Sequence, residues 1–225
     1  THTLACDAIG FGHGLRAETQ LADLLGCAFD YDALDQAWLP TRDAAGRTSV
    51  RGVYIAGDGA SILGADAAEL SGARAALAAL EDRKIPTPPD HAQQLEQATR
   101  PHRTFRRALE TAFAPPPHWA AEAPDELLVC RCEEVSAGTL RACVRETGTR
   151  ELNRLKALTR IGMGRCQGRL CAPAAARLLA DAAGRALHEV GRLRGQAPVK
   201  PLPIALRFEQ PATMPVVVPQ EADDD

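Results

Sequence analysis

The apolar positions of this chain change rhythm along its length, and each rhythm predicts a different kind of element. Residues 4–12, LACDAIGFG, form a short strand-like apolar run ending in glycines. Residues 18–27, ETQLADLLGC, carry apolar side chains at helical spacing, with Gly26 as a stop signal. In SVRGVYIAGDGA, residues 49–60, a β-rich stretch from Val53 to Ala56 is closed by Gly57, Asp58 and Gly59. The alanine-rich GADAAELSGARAALAALE that follows predicts a helix with small residues on several faces, able to pack very close to a sheet or ligand. Residues 1–85 therefore read as α/β.

The pattern then changes twice. Residues 86–125 read as a helical, proline-rich connector: IPTPPD and APPPHWAAEAP are breaks, and the polar helical text between them is interrupted at Pro101. Residues 126–185 predict a compact all-α unit. Leu140, Cys143 and Val144 share one helix face, as do Leu152, Leu155 and Leu158, and a third helix has Pro173 in its first turn and Gly184 at its end. Residues 186–225 run into proline-rich text and the acidic end EADDD, an extended arm and a solubilising tail.

Composition narrows the class. The 225 residues are 45% hydrophobic and 24% charged, as in an ordinary soluble protein. No apolar run approaches the ~18 residues of a membrane span, and no basic-then-apolar signal segment opens the chain. The expectation is a cytoplasmic protein without a transmembrane segment. Its start at Thr1, with strand-like text almost at once, predicts a fragment or a processed subunit. Seven cysteines in such a chain argue for metal or redox use over a disulfide framework. Cys6, Cys27 and Cys143 stand alone and read as small buried hydrophobes.

Cys130, Cys132, Cys166 and Cys171 do not stand alone. They form C-x-C, 33 intervening residues, then C-x4-C. Four thiolates can close a tetrahedral zinc site or hold a two-iron cluster. The cluster needs two cysteines per iron, and two close pairs are supplied. Structural zinc more often uses pairs spaced by two to four residues, so C-x-C is less typical of it, but zinc stays the serious rival. Gly162, Gly164 and Gly168 would let backbone N–H groups approach sulfur, while Arg131, Arg165 and Arg169 would balance a negative cluster. A helix start just after Cys171 would add its positive end. Residues 131–171 hold nine Lys/Arg against four Glu, a local balance of +5 in a chain totalling −3. Nucleic-acid binding is nonetheless not expected, because that stretch has no aromatic residue for stacking.

The text VCRCEEVSAGTL…LNRLKALTRIGMGRCQGRLC resembles the small helical [2Fe–2S] domain of bacterioferritin-associated-ferredoxin type over roughly residues 126–185. More closely, it resembles the version at the C-terminus of the FAD-containing subunits of opine oxidases, found too in hydrogen cyanide synthase and related amino-acid and proline dehydrogenases. The resemblance implies that Cys130, Cys132, Cys166 and Cys171 hold the cluster.

The Gly57-Asp58-Gly59 turn is a second candidate site. A carboxylate at the C-terminal edge of an α/β sheet faces the ligand crevice; the alternative is that Asp58 is a simple helix cap. Read with its approach, PTRDAAGRTSVRGVYIAGDGA resembles the second FAD-binding motif of the pyridine-nucleotide-disulfide-type flavoproteins. On that resemblance Asp58 hydrogen-bonds the ribitol of FAD, and Gly57 and Gly59 let the cofactor approach the backbone. CDAIGFGHGLRAETQLADLLGC resembles the segment preceding that motif in the same oxidase subunits. No G-x-G-x-x-G follows a strand anywhere, so the ADP-binding half is lacking and FAD finds only part of its site here.

The implied fold is α/β, a partial FAD/NAD(P)-binding Rossmann-like domain over residues 1–85, followed by a small all-α [2Fe–2S]-binding domain. The implied function is the redox subunit of an FAD-dependent oxidoreductase acting on amino acids, imino acids or opines, whose partner flavoprotein subunit oxidises the substrate. Nitrite reductase or glycerol-3-phosphate dehydrogenase relatives carry the same appended domain, and a metal-clamped structural module docking a partner subunit is the non-enzyme alternative. His91, His102 and His118 lack paired-ligand spacing and are expected in solvent. No residue is nominated as catalytic.

Overall fold

The computed structural model describes residues 3–10 and 14–200, so the acidic tail lies outside the described residues. The first helix, α1 (Gln20–Leu24), ends as its glycine predicts, with Gly26 at φ +77°. A hairpin follows that the apolar pattern does not announce: β1 (Phe29–Asp32) pairs antiparallel with β2 (Ala37–Pro40). Asp32 builds the turn, its carboxylate accepting from the N–H groups of Leu34 at 2.9 Å and Asp35 at 2.8 Å. Tyr31 and Trp38 face each other edge to face, with ring centroids 5.7 Å apart.

The described residues depart from the Rossmann-like expectation. They contain two two-stranded antiparallel sheets and no parallel sheet. The Val53–Ala56 run makes only one isolated bridge, Tyr54 to Arg47. Leu4 and Ile9 of the first apolar run are exposed, without regular structure. A strand needs a neighbour along its whole length, and the 53–56 run pairs across only with residues 46–48, through Thr48 N–H to the Val53 carbonyl at 3.1 Å and Ile55 N–H to the Gly46 carbonyl at 2.8 Å.

The ribbon around residues 42–55 is instead tied to α2 (Ala65–Asp82). Arg47 Nε meets Asp82 at 2.9 Å and its guanidinium meets Glu81 at 2.7 Å. Small residues permit close packing here: Ala67, Ala75 and Ala78 of α2 are buried. Helix α3 (His91–Ala112) packs along α2. It runs unbroken through Pro101, where the sequence predicts an interruption. The proline removes only one backbone bond, and the helix is held on both sides of it by the Arg74–Glu96 pair at 2.8 Å and the Arg106–Asp35 pair at 3.3 Å.

After the short α4 (Trp119–Glu122), β3 (Leu128–Cys130) and β4 (Val135–Ser136) form a small hairpin, so the second unit is not purely helical. Helices α5 (Ala137–Thr147), α6 (Leu152–Thr159) and α7 (Ala172–Ala182) surround its core. Ser136 caps α5 by accepting from Thr139 N–H, a contact worth ~1 kcal/mol. Leu140, Leu152, Leu155, Ile161, Leu178 and Leu179 are almost fully buried, each contributing ~1.5–3 kcal/mol by leaving water. Leu158, expected to join Leu152 and Leu155, is 41% exposed. Steps of three residues drift round a 3.6-residue helix, and by the second step Leu158 has left the buried stripe. Pro173 occupies the first turn of α7, where its missing N–H costs nothing.

The two parts pack on each other around α1. Buried Asp23 accepts from Arg192 at 2.8 Å, from Arg194 at 3.0 Å and from the Gly195 N–H. Arg192 also stacks over Phe29, 3.6 Å from the ring centroid. Burial pushes the Asp23 carboxyl up, but these hydrogen bonds and the two guanidinium charges outweigh it and hold the group below the ordinary carboxylate value.

Candidate functional site

The four cysteines predicted as ligands come together from two loops. The β3–β4 hairpin sets Cys130 at the end of β3, 2% exposed, and Cys132 in the turn, open to solvent. The second loop, Ile161 to Cys171, is shaped by three residues in the left-handed region: Gly162 at φ +78°, Gln167 at +50° and Gly168 at +85°. Its turns close through Gln167 N–H to Gly164 O at 2.7 Å and Ala172 N–H to Gly168 O at 2.8 Å. Cys171, 3% exposed, is the residue immediately preceding α7. The two loops meet: Cys130 and Cys171 belong to one buried cluster, and the backbone at Gly164 lies against Cys132. Among the described residues no three His, Cys, Asp or Glu side chains converge as they would around one ion.

Backbone contact is as close as the glycines suggest. A Cβ on Gly164 would lie 2.1 Å from Cys132 Cβ and 3.2 Å from its sulfur, so the backbone at 164 lies directly against this cysteine. Gly162 and Gly168 are instead covered by Leu193, whose Cδ1 would stand 2.7 Å from a Cβ on either.

The thiols fall into two electrostatic classes. Burial pushes Cys171 up to about 12, helped by the neighbouring Cys130 and Cys166 sulfurs. Burial also acts on Cys166, but N–H groups of Leu170 and Gly168 and the Cys132 thiol outweigh it and hold Cys166 below the ordinary thiol value. A metal centre bound here would have to displace the Cys171 proton. Of the arginines expected as counter-charge, Arg131 and Arg165 are exposed. Arg169 is half-buried and paired with Glu18. A cation the sequence pattern does not single out, Arg160, joins the two loops through Glu133 at 2.8 Å.

The second candidate, Gly57–Gly59, forms one turn of 3-10 helix. Gly57 takes φ +57°, and its N–H donates to Ser71 Oγ of α2 at 2.9 Å. A Cβ on Gly57 would meet Ala68 of α2 at 3.4 Å, so its small size serves helix packing as well as any ligand. Asp58 is exposed and does not cap α2, whose N-cap is Gly64; its carbonyl accepts from Glu18 N–H at 3.2 Å. Glu18 and Gln20 thus lie between the two candidate sites. Local sequence gives no sign of this, because their partners in the cysteine loop are 151 and 147 positions away.

Of the lone cysteines, Cys27 is buried, Cys143 half-buried and Cys6 exposed, contrary to expectation for the last. His91 and His118 are exposed, whereas His102 is half-buried. Among the described residues no helix is long and apolar enough to cross a membrane.

Residues 128–181 match the BFD-like [2Fe-2S] binding domain family. The chain is 37% identical over 204 residues to an opine oxidase subunit of Agrobacterium tumefaciens, a match covering 89% of this chain and 40% of that protein. It is 32% identical over 205 residues to hydrogen cyanide synthase subunit HcnB of Pseudomonas aeruginosa, covering 88% and 42%. Among solved structures it resembles L-proline dehydrogenase from P. horikoshii, with TM-score 0.63 and 22% identity over 84% of this chain and 36% of that one. These matches bear out the resemblance to the BFD-like [2Fe-2S] domain and to the opine oxidase and hydrogen cyanide synthase subunits. The chain spans about two fifths of the length of the relatives it matches.

Proposed function

Taking as premise that residues 128–181 carry a BFD-like [2Fe-2S] binding domain in a chain related to opine oxidase and hydrogen cyanide synthase subunits, we propose that it is a redox subunit of an FAD-dependent oxidoreductase. Its substrates are amino acids, imino acids or opines, oxidised at a C–N bond on a partner flavoprotein subunit in the reducing cytoplasm. When bound, the flavin and the cluster supply electron exchange between that site and an acceptor.

The observation that carries this reading is the arrangement of the thiols. Two loops each bring one buried cysteine, Cys130 and Cys171, and one more open cysteine, Cys132 and Cys166, while no three metal-binding side chains surround a single point among the described residues, which suits two irons better than one zinc. Cys130 and Cys171 would seal the inner side against water. Cys132 and Cys166 would present the outer side to a partner. N–H groups of Leu170 and Gly168 would stabilise negative charge at the Cys166 sulfur. Residues 126–185 serve as the cluster domain, 86–125 as the connector and 1–85 as the C-terminal half of an FAD/NAD(P)-binding domain. In that half, exposed Asp58 orients the flavin between Gly57 and Gly59, and the remaining contacts come from the ADP-binding half or a partner chain.

Anaerobic purification with visible spectroscopy, metal analysis and EPR after dithionite reduction tests the proposal. Iron and a reducible two-iron signal are expected, and Cys166→Ser should abolish the signal. Zinc without iron would overturn the cluster assignment, and an irreducible cluster would favour the metal-clamped docking module.

A further inference from the structure

Glu18 touches both candidate sites. Its N–H donates to the Asp58 carbonyl at 3.2 Å, in the turn proposed to face the flavin. Its carboxylate accepts from Arg169 Nε. The same guanidinium donates to the Cys166 carbonyl at 3.3 Å and to the Val199 carbonyl at 2.8 Å. Gln20 Nε2 donates to the Gln167 carbonyl at 3.0 Å and so grips the loop between Cys166 and Cys171. One backbone bond, one ion pair and one N–H···O=C bond therefore lead from Asp58 to a cysteine of the four-thiol site.

An ion pair this open to solvent contributes little to stability. Its position gives it another consequence. A guanidinium beside Cys166 favours negative charge on the sulfurs, and a carboxylate beside that guanidinium cancels part of its field. Two backbone carbonyls also hold Arg169, so its place does not depend on the carboxylate charge alone.

Resting on the reading that these cysteines hold a two-iron cluster, we infer that Glu18 is a positioning residue that ties the Cys166 loop to the Asp58 turn and, by balancing Arg169, keeps the cluster's reduction potential low. The couple concerned is the one-electron reduction of the cluster, with dithionite as electron donor.

The test is an EPR-monitored redox titration of the full-length, cluster-loaded protein. Glu18→Gln retains an acceptor for Arg169 but removes the charge. It should shift the reduction equilibrium toward the reduced form by about tenfold, or ~59 mV for one electron. Glu18→Asp should keep the parent potential. Arg169→Gln should lower the potential, and the double variant should fall between the two single ones. An unchanged or lowered potential in Glu18→Gln at the parent's iron content overturns the inference, as does an unchanged or raised one in Arg169→Gln. A parent protein with no reducible cluster overturns the underlying reading of the site instead.

Discussion

Replacing Gly164 with alanine tests the cysteine site at its tightest point. The added Cβ would lie 2.1 Å from Cys132 Cβ. Carbon atoms in contact prefer ~3.5–4.0 Å, so Cys132 or the 161–171 loop must retreat by roughly 1.4 Å or more. Ligand positions in a metal site tolerate only ~0.2 Å, and the required shift is several times larger. The cost to folding is far milder, ~1–3 kcal/mol for overpacking one site, because Cys132 is exposed and lies outside the buried cluster of Leu140, Leu155 and Leu179. Gly164→Ala should therefore fold yet lose most of its iron. Iron per chain, visible absorbance and a far-UV CD melt would be measured together. Gly72→Ala is the control: Gly72 lies within α2 with nothing inside 4 Å of the added Cβ. It should keep its iron and gain ~0.5–1 kcal/mol. Full iron and an unshifted spectrum in Gly164→Ala would refute the claim that the 164 backbone presses on a ligand.

Asp23→Asn should lower stability by ~1–3 kcal/mol at neutral pH, since charged hydrogen bonds to Arg192, Arg194 and Gly195 are weakened. Because the folded-state value of Asp23 is depressed, its contribution is complete above the unfolded value of ~3.9 and is lost as pH falls through the folded one. Urea melts of parent and variant should accordingly converge in acid, and a gap that persists or widens there would contradict the assignment. Gly46→Ala should cost ~1–3 kcal/mol in a thermal melt, because a Cβ at φ +86° would stand 2.6 Å from the Ile55 carbonyl oxygen. Asp58→Asn should weaken flavin retention about 10- to 100-fold, from the ~1.5–3 kcal/mol of a charged hydrogen bond. The iron content should not change. Flavin released on denaturation, assayed by fluorescence, checks this.

Much of the cysteine site is legible in the sequence because its determinants are local. Two close cysteine pairs, the surrounding glycines and a proline in the next helix's first turn are spacing rules, and spacing survives unaltered in the fold. The helical stripes are legible for the same reason, apart from Leu158, where three-residue steps drift off the buried face. Pro101 misleads because a single lost backbone bond says nothing of the packing of α3 on α2 or of the ion pairs that hold it. Val53–Ala56 misleads because β-propensity describes half a ladder, and a strand needs a neighbour that propensity cannot name. The order of residues alone identifies the side chains able to bind a cluster. Folding in three dimensions settles which cysteines are buried and which are open, that Gly164 rather than Gly162 or Gly168 presses on Cys132, and that Glu18 and Asp23 bridge the two parts. Those contacts join residues up to 172 positions apart, and nothing in the local chain chemistry specifies a partner at that distance.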